Sequence, residues 1–292
     1  MSEIQLGIKI GSQNTAVAQR NESGKIELVH TKTCVRYPKG ILKRGDDKPI
    51  VGEAAMEFVD AVSPLRLGVV ESVGGITQLA DILNTLSLPT GSRMVLASPA
   101  VQMKEGNNRL VEAIKHVCAP ASLVAFSEGL CSAVWLSGAE FINTSAIFSL
   151  NLGSTTLEVG CFHEGNEVHL SAHPEVCGDR VDKAIANRIG NIVGDVIVSE
   201  KKLRDMKEGA SLLSPRTYTV EGMTRQGKKE VQVSDEIILS LKEYADTVAL
   251  VFCAEVMGVV NTNIRNMALK SPLFISGGMA NIEGMSGYIG DL

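Results

Sequence analysis

The chain opens on an alternation of apolar and polar positions, the two-residue period of a strand, that runs into a Gly-Ser turn. The stretch "LGIKIGSQNTAVAQRNESGKIELV" (6–29) reads as a strand, that turn, a second strand, a polar turn ("NESGK") and a third strand, a meander of two hairpins. It recurs without a gap as "FSLNLGSTTLEVGCFHEGNEVHLS" (148–171), with "HEGNE" as its polar turn. The register pairs Gly11 with Gly153, Ser12 with Ser154 and Lys9 with Asn151, so the same strand position is polar in both copies.

After each meander, strand and helix periods alternate. The first half gives a strand at "RMVLAS", a helix at "EGNNRLVEAIKHVC", a strand at "SLVAFS" and a helix from about Glu128 to Glu140. The second half gives helices at "GDRVDKAIANRIGNIVG" and "SEKKLRDMKEGASLL", and strands near 217–222 and 229–233 joined by the basic turn "RQGKK". A long helix from 235 to about 267 follows. Strands with intervening helices predict an α/β fold in two duplicated domains, 1–143 and 144–292, facing each other across a cleft.

Composition narrows the class further. With 292 residues, 45% of them hydrophobic and 21% charged, the chain is ordinary globular material. A net charge of -5, with no basic run or aromatic ladder, argues against nucleic acid as a partner. Six cysteines, at 34, 118, 131, 161, 177 and 253, form no CxxC pair and no metal-ligand spacing, which predicts reduced, buried thiols and a cytoplasmic location. The N-terminus lacks the pattern of a signal peptide, and the most apolar later run, "VALVFCAEVMGVV", is too short to span a bilayer and carries Glu255. Docking on a membrane through an adaptor stays open.

A turn of glycine and small hydroxyl residues can aim backbone N–H groups and hydroxyls at an anion, and two facing copies could clasp a polyphosphate. Read singly, each is equally an ordinary hairpin turn. A third glycine-rich stretch, "LFISGGMANIEGM" (273–285), follows a strand and leads towards a helix, where unpaired N–H groups favour an anion or nucleotide. A plain loop or glycine cap fits it too. Lys9, between Ile8 and Ile10, either meets a ligand or snorkels from the strand and pairs with a carboxylate. Glu128 opens a helix, where an acid favours the dipole whether or not it does chemistry.

Taken in order, "GIKIGSQNTAVA", "FSEGLCSAVWLSG", "FSLNLGSTTLEVG", "VCGDRVDKAI", "MKEGA" and "LFISGGMANIEGM" resemble the actin/Hsp70/sugar-kinase ATPase superfamily. Within it the chain is most similar to bacterial actins of the MreB and MamK kind, with "VRYPKGIL", "IVGEAAMEFVD" and "PLRLGVVES" leaning towards MamK. The resemblance implies a two-domain fold with ATP in a central cleft, assembly into filaments of itself or with a related actin-like filament, and a magnetosome- or cell-shape-related role. It places Gly11, Ser12, Gln13 and Asn14 on a first phosphate loop and Gly153, Ser154, Thr155 and Thr156 on a second. Glu128 falls on the residue that orients the attacking water. Gly178 and Asp179 join the nucleotide-binding set, Gly277, Gly278 and Met279 fall on the adenosine loop, and Lys207 on the lysine beside the adenine.

The departures from the family pattern bear on the chemistry. Aspartates that help hold hydrated Mg2+ stand in the family where this chain has Lys9 and Asn151, which puts Mg2+ in doubt, assigns no residue to a metal and leaves ATP hydrolysis weak or lost. A lysine ammonium could instead meet the phosphates as a point charge. Gly129 stands in place of a common proline, and Ser154 and Thr155 in place of two glycines. The chain stops at Leu292, where relatives continue with a strand and a closing helix. The first domain is therefore expected to lack covering elements and to expose an apolar surface and a sheet edge to a partner or another copy. The alternative implied by the superfamily is an Hsp70-like nucleotide-dependent chaperone or reactivase, less favoured because no substrate-binding domain follows. A sugar or acid kinase is disfavoured by the length and by the two replaced carboxylates.

Overall fold

The computed structural model describes residues 5–21, 23–40, 42–45, 48–70, 73–104, 108–193, 198–214, 216–224, 227–258 and 260–292. The chain divides into two compact units, residues 1–131 and 132–292.

In the first unit the opening meander is β1 (Gln5–Ile10), β2 (Asn14–Arg20) and β3 (Ile26–Lys32), followed by two short strands, β4 (Val35–Arg36) and β5 (Ile50–Val51). Then come α1 (Val73–Asn84), β6 (Arg93–Ser98), α2 (Ala100–Lys104), α3 (Arg109–Val117), β7 (Ser122–Ser127) and α4 (Glu128–Ser137), within which the division falls. The main sheet has the order β3-β2-β1-β6-β7, antiparallel across the meander and parallel where helices make the crossovers.

The second unit continues with α5 (Ala139–Thr144) and repeats the meander as β8 (Ala146–Leu152), β9 (Leu157–His163) and β10 (Asn166–His173). After it come α6 (Gly178–Val193), α7 (Glu200–Glu208), the hairpin β11 (Thr219–Thr224) and β12 (Gly227–Gln232), α8 (Ser234–Gly258), α9 (Thr262–Ala268), β13 (Leu273–Ser276) and α10 (Met285–Asp291). Its sheet has the order β10-β9-β8-β13, with β13 parallel to β8.

Two expected helices are each broken in two. The one expected from Glu128 to Glu140 stops at Ser137, because Gly138 takes a positive φ of 85°, and restarts as α5. The one expected from 235 to about 267 ends at Gly258 and restarts as α9, where the Asn261 side chain accepts from the N–H of Asn263 and supplies a new N-cap. Asn108 caps α3 in the same way, accepting from the N–H groups of Leu110 and Val111. Residues 105–107, 194, 225–226 and 259, on which parts of the expected helices and of the basic "RQGKK" turn fall, lie outside the described residues.

The duplicated sheets are covered differently. In the first unit Leu6, Ile8, Ile10, Met94 and Leu96 pack against Leu79 and Leu83 of α1 and Leu110 and Ile114 of α3. The opposite face carries Gly7, Lys9, Val95, Val124 and Phe126, with Val124 and Phe126 52% and 43% exposed. β3, at the sheet edge, exposes Leu28 and Val29 as well. In the second unit all seven residues of β8 are buried, and Leu150 and Leu152 meet Ile185 of α6 and Ile237 and Leu241 of α8.

This asymmetry yields a stability prediction. Leu150→Ala should lower the unfolding free energy by about 2–5 kcal/mol, as a buried leucine truncation does. Val124→Ser, on the uncovered face, should stay within about 0.5 kcal/mol of wild type. Urea unfolding followed by circular dichroism measures both.

Candidate functional site

The two Gly-Ser turns are closed by the same hydrogen bond. Gly11 N–H donates to the carbonyl of Asn14 (3.0 Å), and Gly153 N–H donates to that of Thr156 (2.9 Å). A Cβ at either glycine would sit 3.2 Å or 2.6 Å from that same carbonyl oxygen, so the second turn in particular admits only glycine without a backbone shift. The first turn is braced from behind: the Gln13 carbonyl accepts from Thr33 N–H (2.9 Å) and that of Ser12 from the Ser63 hydroxyl (3.0 Å).

In the first unit the turn stands beside an ion pair. Lys9 leaves β1 on the uncovered face, and its Nζ lies 2.9 Å from Glu128 Oε2. The lysine side chain is 45% exposed and the glutamate 8%, so solvent screens one end and little reaches the other. Glu128 begins α4, whose start is further held by the Ser127 hydroxyl, which accepts from Leu130 N–H. Glu128 thus stands at a helix start with the Lys9 ammonium against it. The lysine stem also runs along the turn, since a Cβ at Gly11 would be 3.7 Å from Lys9 Cε.

In the second unit the expected residues form one connected group. Asn151 and Glu158 face each other in the β8–β9 register, both buried, and Asn151 Nδ2 donates to Glu158 Oε2 (3.2 Å). The first N–H groups of α6 donate back into the turn, Gly178 to the Gly153 carbonyl (3.1 Å) and Asp179 to that of Ser154 (2.8 Å). Gly178 is closely packed, since a Cβ would approach Met279 Sδ to 3.1 Å and Ser154 Cα to 3.3 Å. Gly277, at φ 97°, presses on the Leu152 carbonyl and Asn151, where a Cβ would come within 2.5 and 2.7 Å. Gly278 opens a single 3-10 turn, Gly278–Asn281, and faces open space.

Lys207 is placed less openly than a ligand contact would be. It is buried, its Nζ 2.7 Å from Asp182 Oδ1, and it donates to the Gly178 carbonyl (3.2 Å). Its amine ties α7 to the start of α6 and so steadies the turn indirectly. Sequence reasoning missed Asp182, which lies one helical turn after Asp179, and Glu158. The signal for Glu158 was an acid in an apolar strand, opposite the polar Asn151. Asp179 has its carboxyl pKa raised, chiefly by burial and next by the nearby Asp182 charge.

A hydrated Mg2+ does not fit the two strand positions where the resemblance looks for aspartates. Lys9 presents an ammonium, which has no lone pair to coordinate a cation, and Asn151 a neutral amide already engaged by Glu158. Among the described residues there is no group of three or more His, Cys, Asp or Glu that could hold a metal ion.

Comparison with known proteins places the chain in a family and a fold. A family profile described as Salactin matches residues 3–291. Salactin of Halobacterium salinarum (strain ATCC 700922 / JCM 11081 / NRC-1) is 27% identical over 297 residues, which cover 96% of this chain and 81% of that one. Among solved structures, MreB5 of Spiroplasma citri, bound to AMPPNP or to ADP, superposes with a TM-score of 0.80 at 17% identity over 100% of this chain and 89% of that one. The MamK double helical filament gives a TM-score of 0.75 at 18% identity over 99% of this chain and 90% of that one. The expected actin-like fold is therefore the fold observed.

The raised carboxyl of Asp179 gives a pH test. Because the folded state holds this proton more tightly than the unfolded chain, ionisation destabilises the fold as pH rises from the ordinary value of 3.8 through the raised one. Asp179→Asn should be the more stable protein at pH 7, and its advantage should shrink as pH falls and vanish below 3.8. Urea midpoints across that range measure it.

Proposed function

We propose that this chain, which belongs to the Salactin family, is an actin-like cytoskeletal protein that binds ATP and forms filaments or joins and modulates those of a relative. Its ATP hydrolysis is weak or lost. The observation that carries the nucleotide reading is the pair of glycine turns closed by one and the same hydrogen bond, in a fold shared with a protein solved with AMPPNP and with ADP. In the first unit, Gly11–Asn14 would receive phosphate. In the second, Gly153–Thr156 would do the same, with Gly178 and Gly277–Met279 against the nucleoside and Lys207 steadying them from behind.

Support for weak hydrolysis comes from Glu128. A carboxylate that orients an attacking water must be available to accept its proton, and this one is held in an ion pair with Lys9. Self-association is supported by likeness to a filament-forming neighbour, MamK, and by the uncovered face around Val124 and Phe126. We place such filaments in the cytoplasm. Near a membrane they would use an adaptor, since no described helix is long and apolar enough to cross one.

High-speed sedimentation and electron microscopy with ATP, AMPPNP or no nucleotide test this function. Filaments are expected with nucleotide, together with phosphate release far slower than assembly. Gly153→Ala, which drives a Cβ into the Thr156 carbonyl, should abolish nucleotide binding and nucleotide-dependent assembly alike. A protein that stays monomeric in every condition and also ignores filaments of its relatives contradicts the proposal.

A further inference from the structure

We infer that Lys9 is the resident cation of the phosphate site, so that the nucleotide binds without Mg2+. This inference rests on the nucleotide reading above and adds how the phosphate charge is met. Two observations converge. The Lys9 stem lies along the turn, with Cε 3.7 Å from where a Cβ on Gly11 would be, which puts the ammonium, one bond further out, at the turn itself. Glu128 anchors that ammonium at 2.9 Å from a start of α4 that is capped and buried, so the cation is held in place before any ligand arrives.

The chemistry follows from charge and donor count. An ammonium has three N–H donors, so one lysine can serve a carboxylate and a phosphate oxygen together. Its half-exposed side chain is within reach of a ligand, whereas the anchoring Glu128 is not open to solvent. A divalent ion brought to the same place meets an ammonium with no lone pair to offer and a carboxylate already paired with it. Lys9 supplies one positive charge without coordination geometry, which suits holding a nucleotide more than driving its hydrolysis.

Calorimetric titration of the full chain with AMPPNP, in excess Mg2+ and in EDTA, tests the inference. Wild-type affinity should change by less than about 3-fold between the two buffers. Lys9→Met should weaken binding about 10-fold in both, equivalent to about 1.4 kcal/mol. Lys9→Arg, which keeps the charge, should restore metal-free binding, and Lys9→Asp should bind only when Mg2+ is present. A wild type that loses its affinity in EDTA overturns the inference while leaving the nucleotide reading intact, as does Lys9→Met binding like wild type. No binding by wild type in either buffer overturns the nucleotide reading itself and the inference with it.

Discussion

Each unit turns on one hydrogen bond, from a glycine N–H to the carbonyl three residues further on. Closing that short ring reverses the chain within four residues and sets the following strand antiparallel to the one before. A Cβ at the glycine would crowd the closing carbonyl, severely so in the second copy, and the polar strand position lies two residues earlier. In the first unit that residue is Lys9, in the second Asn151. The closing hydrogen bond is common to both copies, and the side chain at that position differs.

Both copies give this position a buried carboxylate as partner. Lys9 has Glu128, contributed by the start of a helix, and Asn151 has Glu158, contributed by the neighbouring strand. The first pairing is an ammonium with a carboxylate, the second an amide with a carboxylate, so the two turns stand in different electrostatic settings. Around them the layers differ as well. The strand bearing Asn151 is buried throughout, while the face bearing Lys9 leaves Val95, Val124 and Phe126 exposed. An apolar face of this kind favours association.

Much of this was legible in the sequence because it is local. Alternation in "QLGIKI" and its echo near residue 150 specify strands, and Gly-Ser between them specifies a turn; the structure repeats both with matching hydrogen bonds. The order of motifs carried the fold for the same reason. Hidden were contacts between residues distant in the chain. No periodicity links Lys9 to Glu128, or Lys207 to Asp182, and the sequence left the lysine between a ligand and a carboxylate. Helix breaks at Gly138 and before Asn261 were also missed, because the apolar period continues across them and only backbone dihedrals and a cap reveal the interruption.

The direct test is the crystal structure of the chain with AMPPNP grown in the presence of a chelator. A nucleotide whose phosphates lie on the 11–14 turn, with an oxygen within hydrogen-bond distance of Lys9 Nζ and Glu128 still paired to it, is the expected result. Phosphates held away from Lys9, or nucleotide that enters the crystal only when Mg2+ is supplied and then sits around the hydrated ion, would contradict it.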